Sequence, residues 1–199
     1  MSESWDRAQE FAETMRDDAR DWATGRSALV RLPLLGYLGY GGIRHILDPL
    51  YKTWFGGITL AFHEMGHILF MGLGRTMMIL GGSIMQLFIP TAAGVYLLLR
   101  QRDWFGVAVC MSWLAYALWE MATYMADAVR EELGLVGFSD NPGHDWSILF
   151  GQWHLLNYCE GIATFVRVCA FGTWGASMAL GGWLCWRMWE TRDEERMGI

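Results

Sequence analysis

Apolar residues in this chain fill whole windows rather than marking one helical face. Residues 54–73, 77–99 and 104–126 each come near the ~20 residues that an α-helix needs to cross a ~30 Å hydrocarbon core, and each reads as a spanning helix. A fourth apolar region, 146–189, is far too long for one crossing. Asn157, Glu160 and Gly161 mark a break within it, leaving a short first piece and a final span over 162–186. The segment 29–43 is ambiguous: it holds Arg31, Pro33 and four glycines and runs into Arg44, His45 and Asp48. It fits an interfacial or re-entrant piece as well as a crossing. The first 27 residues set Trp5, Phe11, Met15 and Trp22 among Arg, Asp and Glu, the pattern of a solvated or surface-lying helix with no signal-peptide core.

These elements predict an all-α, polytopic integral membrane bundle of about four to six membrane helices, preceded by a short amphipathic helix. Its parts are a charged extension over 1–28, a membrane domain over 29–189 and a charged tail over 190–199. Composition agrees, with 53% hydrophobic residues, 12 Trp and 13 Met in 199 residues. The net charge of −6 adds little, because the acidic excess lies at the N-terminus and in one loop. No basic patch interleaved with aromatics points to nucleic acid. Cys110, Cys159, Cys169 and Cys185 fall in apolar segments without CxxC spacing and read as small buried hydrophobes.

Basic residues suggest an orientation. If 29–43 stays out of the bilayer, Arg44, Lys52, Arg100, Arg102, Arg187, Arg192 and Arg196 share one side, and Arg75 and Arg130 take the other. The rich side is then cytoplasmic, with the C-terminus, and the acidic loop 127–145 faces outward. A bacterial inner (cytoplasmic) membrane is the expected location. A crossing by 29–43 reverses the side of the N-terminal segment.

Chemistry enters at His63-Glu64-Met65-Gly66-His67, an HExxH motif inside the first apolar window. Positions i and i+4 share a helix face, so His63 and His67 can present two imidazoles to one Zn²⁺. Glu64 lies about 100° around the helix, placed to take a proton from a water that zinc acidifies. The bland alternative is a pair of structural histidines with Glu64 paired to an arginine. Burying His, Glu and His together in lipid without a function is costly, which favours the metal site.

A catalytic zinc site needs a third protein ligand and an open position. In the turn-rich segment 140–146, His144 or Asp145 can face the metal, with His144 preferred, since Asp145 before an apolar helix is also a common N-cap. Asp127, seven residues after Glu120, is the third candidate; otherwise it is a helix-end carboxylate or an acceptor that orients a ligating histidine. Gly81-Gly82 can free room for an extended substrate backbone or serve helix packing. Gln86, a lone amide in an apolar run, can donate to a developing oxyanion. Glu120, Tyr124, Asn157 and Glu160 fit pairing with Arg167 or one another.

Phe62-His63-Glu64-Met65-Gly66-His67 on a membrane helix, the glycine-bearing next span, and Asn141-Pro142 with Asp145 before a later span resemble the site-2 protease family of intramembrane zinc metalloproteases. The resemblance covers roughly residues 54–160. It implies zinc, His63 and His67 as ligands, Glu64 as base and an aspartate, here Asp145, as third ligand. The expected function is hydrolysis of peptide bonds in membrane-associated substrates, with the bilayer and a membrane peptide as partners. Alternatives are a non-catalytic protein binding metal or haem, for instance through His63 with His154, or a scaffold or transporter in which Glu64 moves protons.

Overall fold

The computed structural model describes residues 2–134 and 143–197, and all regular structure among them is helical. Asp140, Asn141 and Pro142 of the expected turn lie outside the described residues. The order is α1 (Ser2–Ala23), α2 (Ala28–Leu47), α3 (Trp54–Phe70), α4 (Arg75–Tyr96), α5 (Trp104–Ala126), α6 (Asp145–Gln152) and α7 (Cys159–Met197).

Among the described residues three stretches are long and apolar enough to cross a membrane: Arg75–Gln101, Trp104–Ala126 and Leu156–Arg192. That is fewer than the four to six expected. The motif helix α3 has 17 residues and so rises only about 25 Å, short of a ~30 Å core, and it carries two histidines and a glutamate. α2 has the length, 20 residues, but Arg31, Arg44 and its glycines dilute its apolar character.

α5 is the centre of the bundle, with Ala115, Tyr116, Ala117, Trp119 and Ala122 all buried. A short polar link ties it to α7: the Ser112 and Ser177 hydroxyl oxygens lie 2.7 Å apart, and Ser177 donates to the Ala108 carbonyl at 2.6 Å. Such bonds tie apolar helices to one another. The expected break before the last span falls at residues 153–158, where His154 adopts φ 58° and Leu156–Tyr158 forms one 3-10 turn. From Cys159 a single helix of 39 residues continues to Met197, so the charged tail extends the last span.

α2 runs alongside α5 in the same direction. Its first residue, Ala28, shares a core cluster with Trp104 and Phe105, whereas His45 near its end stacks on Trp119 at 5.5 Å. Thr123 then donates to the Pro49 carbonyl. Arg44 and Lys52 therefore lie by the last turns of α5, at the far end from Arg102, which is the reverse of the side expected for them. α1 packs at the other end, where Arg102 reaches Asp18 at 3.1 Å.

α3 and α4 form a tight antiparallel pair joined through Gly74, whose φ of 92° suits only glycine well. Their backbones touch. A Cβ on Gly66 would sit 2.2 Å from the Gly81 carbonyl oxygen, and one on Gly81 would sit 2.6 Å from that of Gly66. This contact sets the histidines of α3 against the second turn of α4.

Candidate metal centre

Helical spacing in α3 puts His63 and His67 on one face, with ring centroids 4.8 Å apart. Asp145, the first residue of α6, brings its Oδ2 to 3.1 Å from His63 Nε2 and 3.3 Å from His67 Nε2. These three ligand atoms all lie within 4.8 Å of one another, and the group could hold a metal ion.

Hydrogen bonds behind the rings fix which nitrogens face inward. Gln86 must turn its amide N–H to the Ala117 carbonyl, 2.7 Å away, so its Oε1 faces His63 Nδ1 at 3.0 Å. His67 Nδ1 faces the Met78 carbonyl at 2.9 Å. Both acceptors oblige Nδ1–H to donate, which leaves each neutral Nε2 with its lone pair toward Asp145. Two imidazole lone pairs and a carboxylate oxygen then converge on one point, an arrangement that only a cation or added protons can stabilise. Burial by itself raises the Asp145 carboxyl, but with protons on the two Nε2 atoms His63 and His67 outweigh this and hold it below the ordinary carboxylate range.

Gly82 stands directly over this point. A Cβ there would lie 2.7 Å from Nε2 of both His63 and His67. Gly82 thus leaves space beside the two Nε2 atoms, and Gly81 serves the contact with Gly66. Gln86 is buried, with its oxygen used on His63 and its nitrogen on Ala117, and so orients a histidine instead of facing an oxyanion.

The preferred third ligand, His144, is elsewhere. Its Nδ1 accepts from the Ser147 N–H at 3.1 Å, capping α6, and its Nε2 faces Asp127 Oδ2 at 3.4 Å. Asp127 also accepts from the backbone N–H groups of Glu132 and Leu133 and holds the chain leaving α5. Tyr124, whose ring centroid is 4.2 Å from that of His144, accepts the Asp145 N–H at 2.9 Å. The loop residues therefore position Asp145, and Asp145 joins the histidines.

A cleft of about 910 Å³ opens beside the group, lined among others by Glu64, Met78, Ile79, Glu120 and Tyr124. Glu64 is half-buried there. Glu160 pairs with Arg130 at 2.7 Å rather than with Arg167, and His154 sits in the exposed turn after α6. All four cysteines are free, and Cys169 is exposed, unlike the other three. Two contributions escaped sequence reasoning: the Met78 carbonyl, which no side-chain pattern marks, and the Tyr124 hydroxyl, visible only as a polar group in an apolar window. Searches of family models, curated proteins and solved structures found no match to this chain.

Proposed function

We propose that this protein is a zinc-dependent peptidase acting on membrane-associated polypeptides, with Glu64 as its base. The convergence of His63 Nε2, His67 Nε2 and Asp145 Oδ2 beside Glu64 in an open cleft carries the proposal. Ligands about 2.0–2.1 Å from zinc in a tetrahedron stand about 3.3 Å apart. The separations of 3.1 and 3.3 Å to Asp145 match that edge. Two nitrogens and one oxygen leave a fourth position open, as catalytic zinc sites do. When bound, zinc polarises the scissile carbonyl and acidifies water.

The protein's own groups do the rest. Gln86 and the Met78 carbonyl hold the imidazoles in the ligating tautomer. The Glu64 carboxylate receives the proton of the attacking water and returns it to the departing amide nitrogen. Tyr124, whose oxygen already accepts the Asp145 N–H, keeps its hydroxyl hydrogen for the carbonyl oxygen as charge builds there. Three apolar helices support membrane association. Arg100, Arg102, Arg187 and Arg192, joined by the arginines of α1, favour a cytoplasmic location for that end and an outward one for the cleft.

The decisive test uses purified protein in detergent, with zinc content and cleavage of quenched-fluorescence peptides read on the same samples. Wild type should hold about one zinc per chain and cleave, and Glu64→Gln should keep the zinc and lose hydrolysis. Unchanged hydrolysis in Glu64→Gln, or wild-type protein that takes up no zinc, overturns the proposal.

A further inference from the structure

Glu120 plays no part in the proposed chemistry, yet it lies six residues before the end of α5, in a stretch apolar enough to span a membrane. A carboxylate at such a position is costly unless it has a function and a partner. Its Oε1 is buried and has no hydrogen-bond partner among the described residues. The oxygen occupies the space left by Gly56, where a Cβ would stand 3.0 Å away. Lys52 passes the same glycine with its aliphatic stem; its side chain is exposed, and its charge acts on the Glu120 carboxylate without hydrogen-bonding Oε1. Both Glu120 and Gly56 line the cleft that holds Glu64 and the candidate metal centre.

Gly56 precedes His63 by seven residues, two turns of α3, and so shares its face at a distance of about 10 Å. An extended chain covers that distance in about three residues at ~3.3 Å each.

We infer that Glu120 is a specificity-determining residue: within the peptidase proposed above, on which this inference rests, it and Gly56 form a subsite for a positively charged substrate group about three residues from the scissile bond. The group is an ammonium or guanidinium, from a Lys or Arg side chain or from the substrate's own amino terminus. A half-sequestered carboxylate discriminates strongly for such a group, because a neutral one leaves Oε1 unpaired.

The test uses acetylated peptides with Arg or its neutral isostere citrulline three residues to either side of the scissile bond, and matching free-amine peptides without Arg. In wild type, kcat/KM should favour the charged member by at least about tenfold on one side. In Glu120→Gln the ratio should fall to near one with zinc content unchanged. Gly56→Ala, which pushes a methyl against Oε1, should lower it too. A parallel binding arm measures peptide Kd in zinc-loaded Glu64→Gln with and without Glu120→Gln, where the Arg peptide should weaken about tenfold and the citrulline peptide hardly at all. A ratio near one in wild type, or one that survives Glu120→Gln, overturns the inference. Failure of wild type to cleave any peptide refutes the peptidase instead, and the binding arm still decides on Glu120. A preference confined to free-amine peptides assigns the subsite to the amino terminus, and one confined to Arg peptides assigns it to a side chain.

Discussion

Replacing Gly82 with alanine places one methyl group over the candidate metal centre. The new carbon would start 2.7 Å from Nε2 of both His63 and His67. Comfortable contact requires about 3.5 Å, so both rings would have to retreat by about 0.8 Å. They have no room to do so freely, since His63 Nδ1 is held by Gln86 at 3.0 Å and His67 Nδ1 by the Met78 carbonyl at 2.9 Å. Metal sites tolerate ligand distances only within about 0.2 Å, so Gly82→Ala should weaken zinc binding at least about 100-fold, or roughly 2.7 kcal/mol. The helix should gain from the same change, because alanine exceeds glycine by about 1 kcal/mol in helix propensity, which keeps α4 formed. The assay is competition for zinc against a chromophoric chelator, with helical content followed by circular dichroism. Gly57→Ala on α3 is the control: nothing lies within 4 Å of that Cβ, and zinc affinity should not change. If Gly82→Ala folds and binds zinc within threefold of wild type, the metal does not sit where the three lone pairs converge.

Further expectations separate the loop residues. Asp145→Asn should lose zinc almost entirely, whereas His144→Ala should keep a site weakened by about 10–100-fold and cost about 1 kcal/mol of stability as a lost helix cap, both read by the same titration and by thermal melts. Zinc lost from His144→Ala and retained by Asp145→Asn would reverse the assignment. Tyr124→Phe should lower kcat about 10- to 100-fold with little change in zinc content; an undiminished kcat removes Tyr124 from the carbonyl's surroundings.

His63 and His67 were legible because their pairing depends only on helix period, and a strong apolar window supplied the helix. Asp145 was singled out only through the family resemblance, because 82 residues separate it from His63 and its local pattern also suits an N-cap. The structure exchanges the two loop roles: His144 caps α6 and Asp145 meets the histidines. Choosing between them requires the path of the chain after Asp127, which depends on that carboxylate holding the Glu132 and Leu133 N–H groups. Gln86 was conspicuous as an amide in an apolar run, but its partner Ala117 lies on another helix, so its role as an orienting group could not be read locally. The side taken by Arg44 and Lys52 turned on whether α2 follows α5. No hydropathy window decides that; the packing of Ala28 against Trp104 and of His45 against Trp119 does.

The wide spacing of the three converging groups also has a consequence during biosynthesis. When His63 and His67 leave the ribosome the chain has two histidines and Glu64 but not the Asp145 carboxylate that completes the group. At roughly 5–20 residues per second, the 82 residues to Asp145 take about 4 to 16 seconds to translate. In that interval α4 and α5 emerge, and with them the Met78, Gln86 and Tyr124 groups that bond His67, His63 and Asp145. On the proposed function, a nascent chain, or one truncated before α6, should hold metal weakly and show no hydrolysis, and competence should arrive only after the helices that wall the cleft have been made.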